Sequence, residues 1–173
     1  NNGVPLFLDI GGRKPIGLFG GESKSAAIDS TGAIIIITES LFDSPAPVPQ
    51  IIELPGNEQA ISLACCNYFI AALSSTGHLY LSAIEDKDNN IFSAFLEVPT
   101  LSGIKIAHVS GSFEHCFAVS EEGKVFGIGS NNNGILGLGP KCKKAEKFRE
   151  IVHLNNQKSK HFIVFNHLIF NFL

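Results

Sequence analysis

The chain of 173 residues (18.6 kDa) contains 45% hydrophobic and 17% charged residues, enough apolar material for a folded core, which excludes a disordered tail. Its 13 Lys and Arg residues are outnumbered by 16 Asp and Glu residues. The resulting formal charge of -3 provides no global positive field that would gather nucleic acid or acidic lipid. The sequence has no Met, and we expect it to be a fragment.

Three short segments repeat along the chain without gaps. AAIDSTG, AALSSTG and FAVSEEG end on Gly32, Gly77 and Gly123, which lie 45 and then 46 residues apart. A short turn that ends in Gly between two apolar runs is typical of a β-hairpin, because glycine adopts the positive φ that the turn requires. A repeat of this length with several short strands predicts a β-propeller, in which each unit supplies about one four-stranded sheet.

The predicted fold is therefore all-β, a partial β-propeller of three repeats of about 45 residues plus a degenerate or truncated fourth. We expect an N-terminal segment at 1–13 and a repeat domain at 14–173. The approximate units of the repeat domain are 14–59, 60–104, 105–150 and 151–173, the last one partial. The strands predicted for the third unit are 105–109, 115–120, 124–128 and 148–154.

The end of the chain contains signs of the fourth unit. His161 follows His115 by 46 residues, and FIVF follows it where the third unit has CFAV. This spacing predicts that the fourth unit continues in the register of the third. Ile169 stands at the position of the turn glycine, so we expect this unit to be degenerate or cut short.

The stretch HCFAVSEEGKVFGIGSNNNGILGLG (115–139) ends in a loop rich in Gly and Asn, which suggests either a phosphate site or a structural loop. Asn132 stands where a dinucleotide fingerprint would need its third Gly, and the loop does not open a helix that would bind phosphate. Gly and Asn tolerate left-handed backbone conformations, so we interpret the loop as structural. The positions assigned a structural role in the repeat are Gly20, Gly32, Gly77, Gly111, His115, Gly123, Gly129, Gly134 and Gly137.

The third unit resembles the repeats of the regulator of chromosome condensation family. That pattern has a Gly, a His that opens a strand, an apolar run, a turn Gly and a Gly-x-Leu-Gly loop. The matching elements are Gly111, His115, Ala118, Gly123, Val125, Phe126, Gly129 and NNNGILGLG. Ile128 stands where the family has Trp and Ile135 where it has Gln, which indicates a divergent member. The resemblance implies a ring of about seven units, whose remaining blades come from the same chain or from a second copy.

No residues in the sequence form a recognisable catalytic, cofactor or metal site. His115 is a candidate general base, but its neighbours Glu114 and Cys116 point to the opposite face of a strand, so we expect a buried structural His. We therefore predict a non-catalytic protein-interaction module without a cofactor, whose protein partner is unidentified. The alternative is guanine nucleotide exchange on, or regulation of, a small GTPase, which the family resemblance permits.

The run KCKKAEKFRE is the most basic stretch of the chain, with a local net charge of +3. We interpret it as a loop that is either solvated or able to contact an acidic protein surface or phosphates. Chromatin binding through this loop is a weaker alternative function, and nucleic acid is not an expected partner of the whole chain. The candidate interaction residues are Lys141, Lys143, Lys144, Lys147 and Arg149.

The location of the protein is predicted from its apolar segments and its cysteines. The apolar stretch at 162–173 contains two Asn and one His, and it is shorter than the roughly 20 residues that a membrane-spanning helix requires. The four cysteines include no Cys-x-x-Cys pair, and we expect them to be reduced thiols. These features predict an intracellular protein, cytoplasmic or nuclear, without a membrane partner.

Overall fold

The computed structural model describes residues 10–21, 24–38, 49–86, 91–155, 161–165 and 168–172, with Thr38 and the residues beyond 160 described by their backbone alone. Nearly all regular structure in these ranges is β. The strands are β1 (Pro15–Gly20), β2 (Lys24–Asp29), β3 (Ile34–Thr38), β4 (Gln50–Ile52), β5 (Ala60–Cys65), β6 (Phe69–Ser74), β7 (Leu79–Asp86), β8 (Ile91–Phe92), β9 (Leu96–Glu97), β10 (Ile106–Gly111), β11 (His115–Ser120), β12 (Val125–Ser130), β13 (Lys144–Glu150), β14 (His161–Phe165) and β15 (Leu168–Phe172). One-turn 3-10 segments lie at Pro55–Asn57, Pro99–Leu101 and Val152–Leu154.

The strands form three antiparallel sheets and a final hairpin. Sheet 1 has the order β1-β2-β3-β4, and sheet 3 has the order β10-β11-β12-β13. Sheet 2 has the order β5-β6-β7-β8, and β9 also pairs with β7. Strands β14 and β15 pair with each other. This architecture confirms the predicted all-β partial propeller.

The sheets stack face to face and bury apolar side chains between them. One cluster fills the space between sheets 1 and 2 and includes Ile28, Ile36 and Ile70, and a second cluster between sheets 2 and 3 includes Leu73 and Phe126. Because an inner sheet is covered on both faces, its strands read as continuous apolar runs without clear alternation. Strand β3 of sheet 1 is also apolar on both faces, since Ile34 and Ile36 belong to the cluster between sheets 1 and 2 and Ile35, on the opposite face, is 0% exposed.

The three predicted turn glycines lie in hairpin turns of the same conformation. Gly32, Gly77 and Gly123 have φ of 82°, 84° and 81°. Each donates its N–H to the carbonyl three residues earlier, at 3.0, 3.0 and 2.9 Å. This is the hairpin turn that requires a left-handed residue at its end, which only glycine adopts without strain.

The same turn glycines join each unit to the next. The N–H of Ala60, the first residue of β5, donates to the carbonyl of Gly32 at 3.1 Å. The N–H of Ile106, the first residue of β10, donates to the carbonyl of Gly77 at 2.9 Å. We call these two backbone contacts the inter-unit joints.

The first strand of every sheet carries a β-bulge at the same place. The pairing register shifts between Pro15 and Gly17 in β1, and the corresponding shifts in β5 and β10 occur around residues 61 and 107. The extra residue is Ile16, Ile61 or Ala107, and its side chain is exposed in each case. Bulges bend and twist a strand, so this repeated bulge gives the three first strands a common shape.

The fourth strand of the third unit differs from the prediction. It was expected at 148–154, but β13 is Lys144–Glu150 and a 3-10 turn occupies Val152–Leu154. The pairing of β13 with β12 buries Ala145 and Phe148, while the N–H of Ile151 donates to the carbonyl of Val125 at 2.7 Å and ends the strand. The apolar residues after 150 therefore form the connection that follows the strand.

The predicted register of the fourth unit is also wrong. Strand β5 contacts β1 and β2, β10 contacts β5 and β6, and β14 contacts β10 and β11. Strand β14 therefore occupies the place of a first strand, whereas His115 opens a second strand. The 46-residue spacing fails because the first strands start at 15, 60, 106 and 161, so the step that crosses the loop at 131–143 is longer than the previous ones.

Two buried or half-buried carboxylates stabilise the turns and connections. Asp29 Oδ1 accepts the backbone N–H of Thr31 at 2.8 Å, and Asp29 also pairs with Arg13. Glu58 accepts Thr76 Oγ1 at 2.6 Å and contacts His78 Nδ1 at 2.8 Å. Burial by itself raises the pKa of both carboxyls, but these hydrogen bonds outweigh it and lower both pKa values to about 2.

We expect the free energy of unfolding to fall on acidification as these two carboxylates are protonated. Their folded pKa values of about 2 lie below the ordinary values of 3.8 and 4.5, so the stabilisation is complete above about pH 5 and is lost as the pH approaches 2. The loss should be on the order of 2 kcal/mol for each group. Urea unfolding of wild type and Glu58→Gln across this range measures it. The variant should lose less stability on acidification than Glu121→Gln, an exposed control, and equal losses in both variants would contradict the assignment.

Candidate interaction surface

The connections between strands leave the stacked sheets at two opposite faces. The turns at 30–33, 75–78 and 121–124 and the three 3-10 segments lie on one face, which we call the turn face. The connections at 66–68, 112–114 and 131–143 lie on the other, which we call the long-loop face. This division follows from the antiparallel order, because successive connections alternate between the two ends of a sheet.

Asn131 organises the long loop at 131–143 from a buried position. Its side chain is 3% exposed and donates to the carbonyls of Gly139 and Cys142 at 3.3 and 2.7 Å. Its Oδ1 accepts the backbone N–H of Leu136 at 2.9 Å. Leu136 is fully buried against the outer face of sheet 3, in a cluster that includes Phe117. The loop is therefore a packed structural element.

The glycines before this loop permit a close approach between backbones. A methyl group on Gly129, whose φ is 108°, would lie 2.0 Å from the carbonyl oxygen of Glu114. The next residue, Ser130, donates its N–H to that same carbonyl at 2.9 Å. The end of β12 is thus held directly against the connection at 112–114, and this contact brings two loops of the long-loop face together.

The other positions assigned to the repeat lie in strands or in the long loop at 131–143. His115 is 3% exposed and lies edge-on to Phe117, with ring centroids 6.0 Å apart. Gly111 faces Cys66, whose Sγ would lie 2.7 Å from an added methyl group. The remaining members of the set are Gly20 at the end of β1, and Gly134 and Gly137 in the long loop, with φ of 70° and 61°.

A groove of about 420 Å³ opens on the long-loop face between sheets 2 and 3. We call it the face groove. Its lining residues are Tyr68, Phe69, Glu114, Gly129, Ser130, Asn132, Lys143 and Lys144. A smaller pocket of about 110 Å³ adjoins it and shares Glu114, Ser130 and Asn132. The Asn67 N–H donates to the Phe113 carbonyl at 2.7 Å, so residues from two units are tied together at the edge of the groove.

Two aromatic rings are exposed at this surface. Tyr68 is 52% exposed and Phe113 is 38% exposed, although both belong to short connections of only three residues. The backbone of Tyr68 is fixed by a hydrogen bond from the N–H of Ile84 to its carbonyl, at 3.1 Å. Exposed aromatic side chains on an anchored backbone typically contribute a large share of the binding free energy in protein interfaces.

The five predicted basic residues do not form one loop. Lys141 and Lys143 lie in the connection at 131–143, but Lys144, Lys147 and Arg149 lie on β13, the outer edge strand of sheet 3. The structure brings Lys143 and Lys144 together in the face groove. Charges along an exposed edge strand protect it from pairing with other strands, which explains the concentration of charge on β13.

Lys147 and Arg149 do not line the face groove. Lys147 lines a second groove of about 400 Å³ between the outer strands of sheets 2 and 3, which is mostly apolar and includes Leu96 and Phe148. Arg149 donates to Cys142 Sγ at 3.6 Å. The prediction of a single basic loop is therefore wrong, because the register of β13 separates these side chains.

Sequence reasoning missed Tyr68, Phe113 and Asn131. Tyr68 and Phe113 lie in connections between strands, where the hydrophobic pattern of the repeat gives no signal for a binding residue. Asn131 is the first of three consecutive Asn residues, and the buried member cannot be distinguished from its neighbours by sequence alone. A related signal was present in the aligned segments, where Asp29, Ser74 and Ser120 occupy one position and are all buried polar residues.

The buried thiols of the described residues provide no reactive centre. Cys65, Cys66 and Cys116 are at most 3% exposed, and burial raises the pKa of Cys65 to about 12. Among the described residues no group of three His, Cys, Asp or Glu side chains is placed to hold a metal ion. The described ranges also include no helix of sufficient length and hydrophobicity to cross a membrane.

Three stacked sheets with repeated turns, bulges and joints define a repeat protein of the β-propeller class. The family model of the Regulator of chromosome condensation (RCC1) repeat matches residues 106–135, which include β10, β11 and β12. The third unit of the chain therefore contains a repeat of this family.

Two curated relatives match about half of the chain. The chain is 31% identical over 98 residues to the probable E3 ubiquitin-protein ligase HERC3 of Homo sapiens. It is 33% identical over 105 residues to the ultraviolet-B receptor UVR8 of Arabidopsis thaliana. The matches cover 53% and 56% of this chain but 9% and 23% of the two relatives.

Solved structures match more of the chain. Human WBSCR16 has a TM-score of 0.68 at 20% identity, and the match covers 91% of this chain and 44% of that one. Prp20p from Saccharomyces cerevisiae has a TM-score of 0.66 at 19% identity, with 87% and 40% covered. At these identities the likeness shows the fold, and the chain spans less than half of each of these two propellers.

Proposed function

We propose that the chain is a protein-interaction module that binds a partner protein through its long-loop face. The observation that carries this proposal is the face groove, where exposed Tyr68 lies beside Lys143 and Lys144. Propellers bind through surfaces assembled from several loops, and this groove combines connections of two units. The described residues of the turn face are mainly tight turns and short 3-10 segments.

The chemistry of the face groove supports binding to protein. Aromatic residues are enriched at the centres of protein interfaces, where a few of them account for most of the binding energy. Tyr68 in the face groove and Phe113 in the adjoining pocket are such residues, and the 2.7 Å hydrogen bond from the Asn67 N–H to the Phe113 carbonyl links their two connections. A surface that is already ordered loses little conformational entropy when it binds.

Replacing both Tyr68 and Phe113 by Ala is expected to weaken binding of protein partners by at least about tenfold, since each change removes an exposed aromatic contact. The measurement is quantitative affinity capture with the whole chain, followed by titration of each purified partner. Val152→Ala is the matched control, because Val152 is 68% exposed on the turn face. The proposal would be contradicted if the double variant still bound the partner proteins while Val152→Ala no longer bound them.

A second candidate function is regulation of a small GTPase. Its support is the likeness in fold to Prp20p, which has been described with its binding to Gsp1p and histones. The deciding experiment measures release of labelled guanine nucleotide from purified small GTPases in the presence of the chain. Acceleration that depends on Tyr68 would establish this function at the same face. Chromatin binding has less support, because the basic residues are divided between separate surfaces.

A further inference from the structure

We propose that the face groove takes an acidic peptide segment that carries an apolar side chain next to its carboxylates. This inference rests on the proposed function and specifies the chemistry of the partner. It follows from three features of the groove: two ammonium groups, an exposed aromatic ring and a single carboxylate at Glu114.

The ammonium groups are available to carboxylates of a partner. Lys143 is exposed, and no ion pair joins it to another residue in the described ranges. Lys144 Nζ lies 3.0 Å from Glu146 Oε1, but these side chains are 61% and 75% exposed. An ion pair this exposed contributes about 0–1 kcal/mol, so a partner carboxylate can replace Glu146 at little cost.

The aromatic side of the groove favours an apolar group beside the carboxylate. Tyr68 is half-exposed and Phe69 lines the same space, so an apolar side chain that enters this space is removed from water. The aliphatic stems of the lysines extend this apolar surface while their ammonium groups stay solvated. The Asn132 amide and the Ser130 hydroxyl can form hydrogen bonds with a peptide backbone.

Glu114 favours a peptide over a phosphate polymer. Glu114 lines both the face groove and the adjoining pocket. A nucleic acid strand carries a negative charge at every nucleotide and would place one near Glu114, whereas a peptide can place a backbone N–H there.

The test measures fluorescence anisotropy of labelled short peptides with the whole chain. The probes are a peptide with a central Phe flanked by Asp and Glu, the same peptide with Lys in place of the acids, and single-stranded oligothymidylate. The acidic peptide should bind at least about tenfold more tightly than either other probe. Its affinity should also fall with added salt, because surface ion pairs are screened.

Charge-reversal variants locate the binding site. Lys143→Glu should weaken binding of the acidic peptide about tenfold and reduce its dependence on salt. Lys124→Glu is the control, since Lys124 is an exposed Lys on the turn face, away from the groove. This control should change the affinity less than about twofold. Glu114→Gln should strengthen oligothymidylate binding and leave the acidic peptide little changed.

The outcomes separate this inference from the proposed function. Equal binding of acidic and basic peptides, tighter binding of oligothymidylate, or equal effects of Lys143→Glu and Lys124→Glu would overturn the acidic-peptide site. If protein partners still depend on Tyr68 while acidic peptides do not bind, the inference fails and the proposed function stands. If partner binding does not depend on Tyr68 and Phe113, the proposed function fails as well.

Discussion

Replacing Gly32 by Ala is expected to lower the free energy of unfolding by about 3 kcal/mol, and the same replacement at Gly123 by about 1 kcal/mol. The two residues have φ of 82° and 81°, so the backbone strain of an added side chain is equal. They differ in their neighbours. A methyl group on Gly32 would lie 2.5 Å from Gln59 Cβ and 2.6 Å from Gln59 Cα, whereas no atom of the described residues lies within 4 Å of one on Gly123. The difference between the variants therefore reports the packing of one unit against the next.

Urea unfolding followed by circular dichroism measures this difference, and Gly77→Ala supplies an intermediate case. The nearest atom to a methyl group on Gly77 is Lys105 Cδ at 3.0 Å, which belongs to a side chain that can move. The expected order of destabilisation is Gly32, then Gly77, then Gly123. Equal losses at all three positions would mean that local strain in the turn dominates and that contact between units contributes little.

Replacing Asn131 by Ala is expected to cost about 3 kcal/mol, because it removes three hydrogen bonds and leaves the N–H of Leu136, which is buried, without its acceptor. The same change should weaken ligand binding in the face groove, since Asn132 and Lys143 lie at the two ends of the loop that Asn131 holds. Asn131→Asp should be comparably destabilising, because a carboxylate cannot donate to the two carbonyls.

The measurements are urea unfolding and binding of the acidic peptide by each variant at a temperature where all remain folded. Asn132→Ala is the matched control for the stability measurement alone, because Asn132 is the exposed neighbour of the same residue type. It should leave stability within about 0.5 kcal/mol of wild type. Unchanged stability in Asn131→Ala would show that the loop holds its shape without this side chain, through the packing of Leu136.

The hairpins of this fold can be predicted from sequence because their determinants are local. A glycine with positive φ between two apolar runs is visible within about ten residues, and the turns at Gly32, Gly77 and Gly123 have this form. The positions of β13 and β14 could not be predicted in the same way. The first strands start at 15, 60, 106 and 161, so the step across the third unit is longer than the earlier steps and a fixed spacing misplaces β14.

The candidate site was less accessible to sequence reasoning than the fold. Lys143 and Lys144 were identified by their charge, but Tyr68 joins them only because two units stack, and Glu114 joins them through strand pairing within sheet 3. The separation of Lys147 and Arg149 from the groove depends on the pairing of β13 with β12, a long-range property. Residues that meet across a boundary between repeats have no shared local pattern.

The inter-unit joints have a consequence for how such chains diversify. Each joint consists of a backbone N–H from Ala60 or Ile106 and the carbonyl of a turn glycine, so it requires no particular side chain in the unit that follows. Mutations can accumulate within a unit while the connection to its neighbours is kept. A third unit that matches the family pattern well can therefore pack beside two units that match it poorly. A whole unit can also be duplicated or exchanged without changes to the side chains at its contact with the next unit.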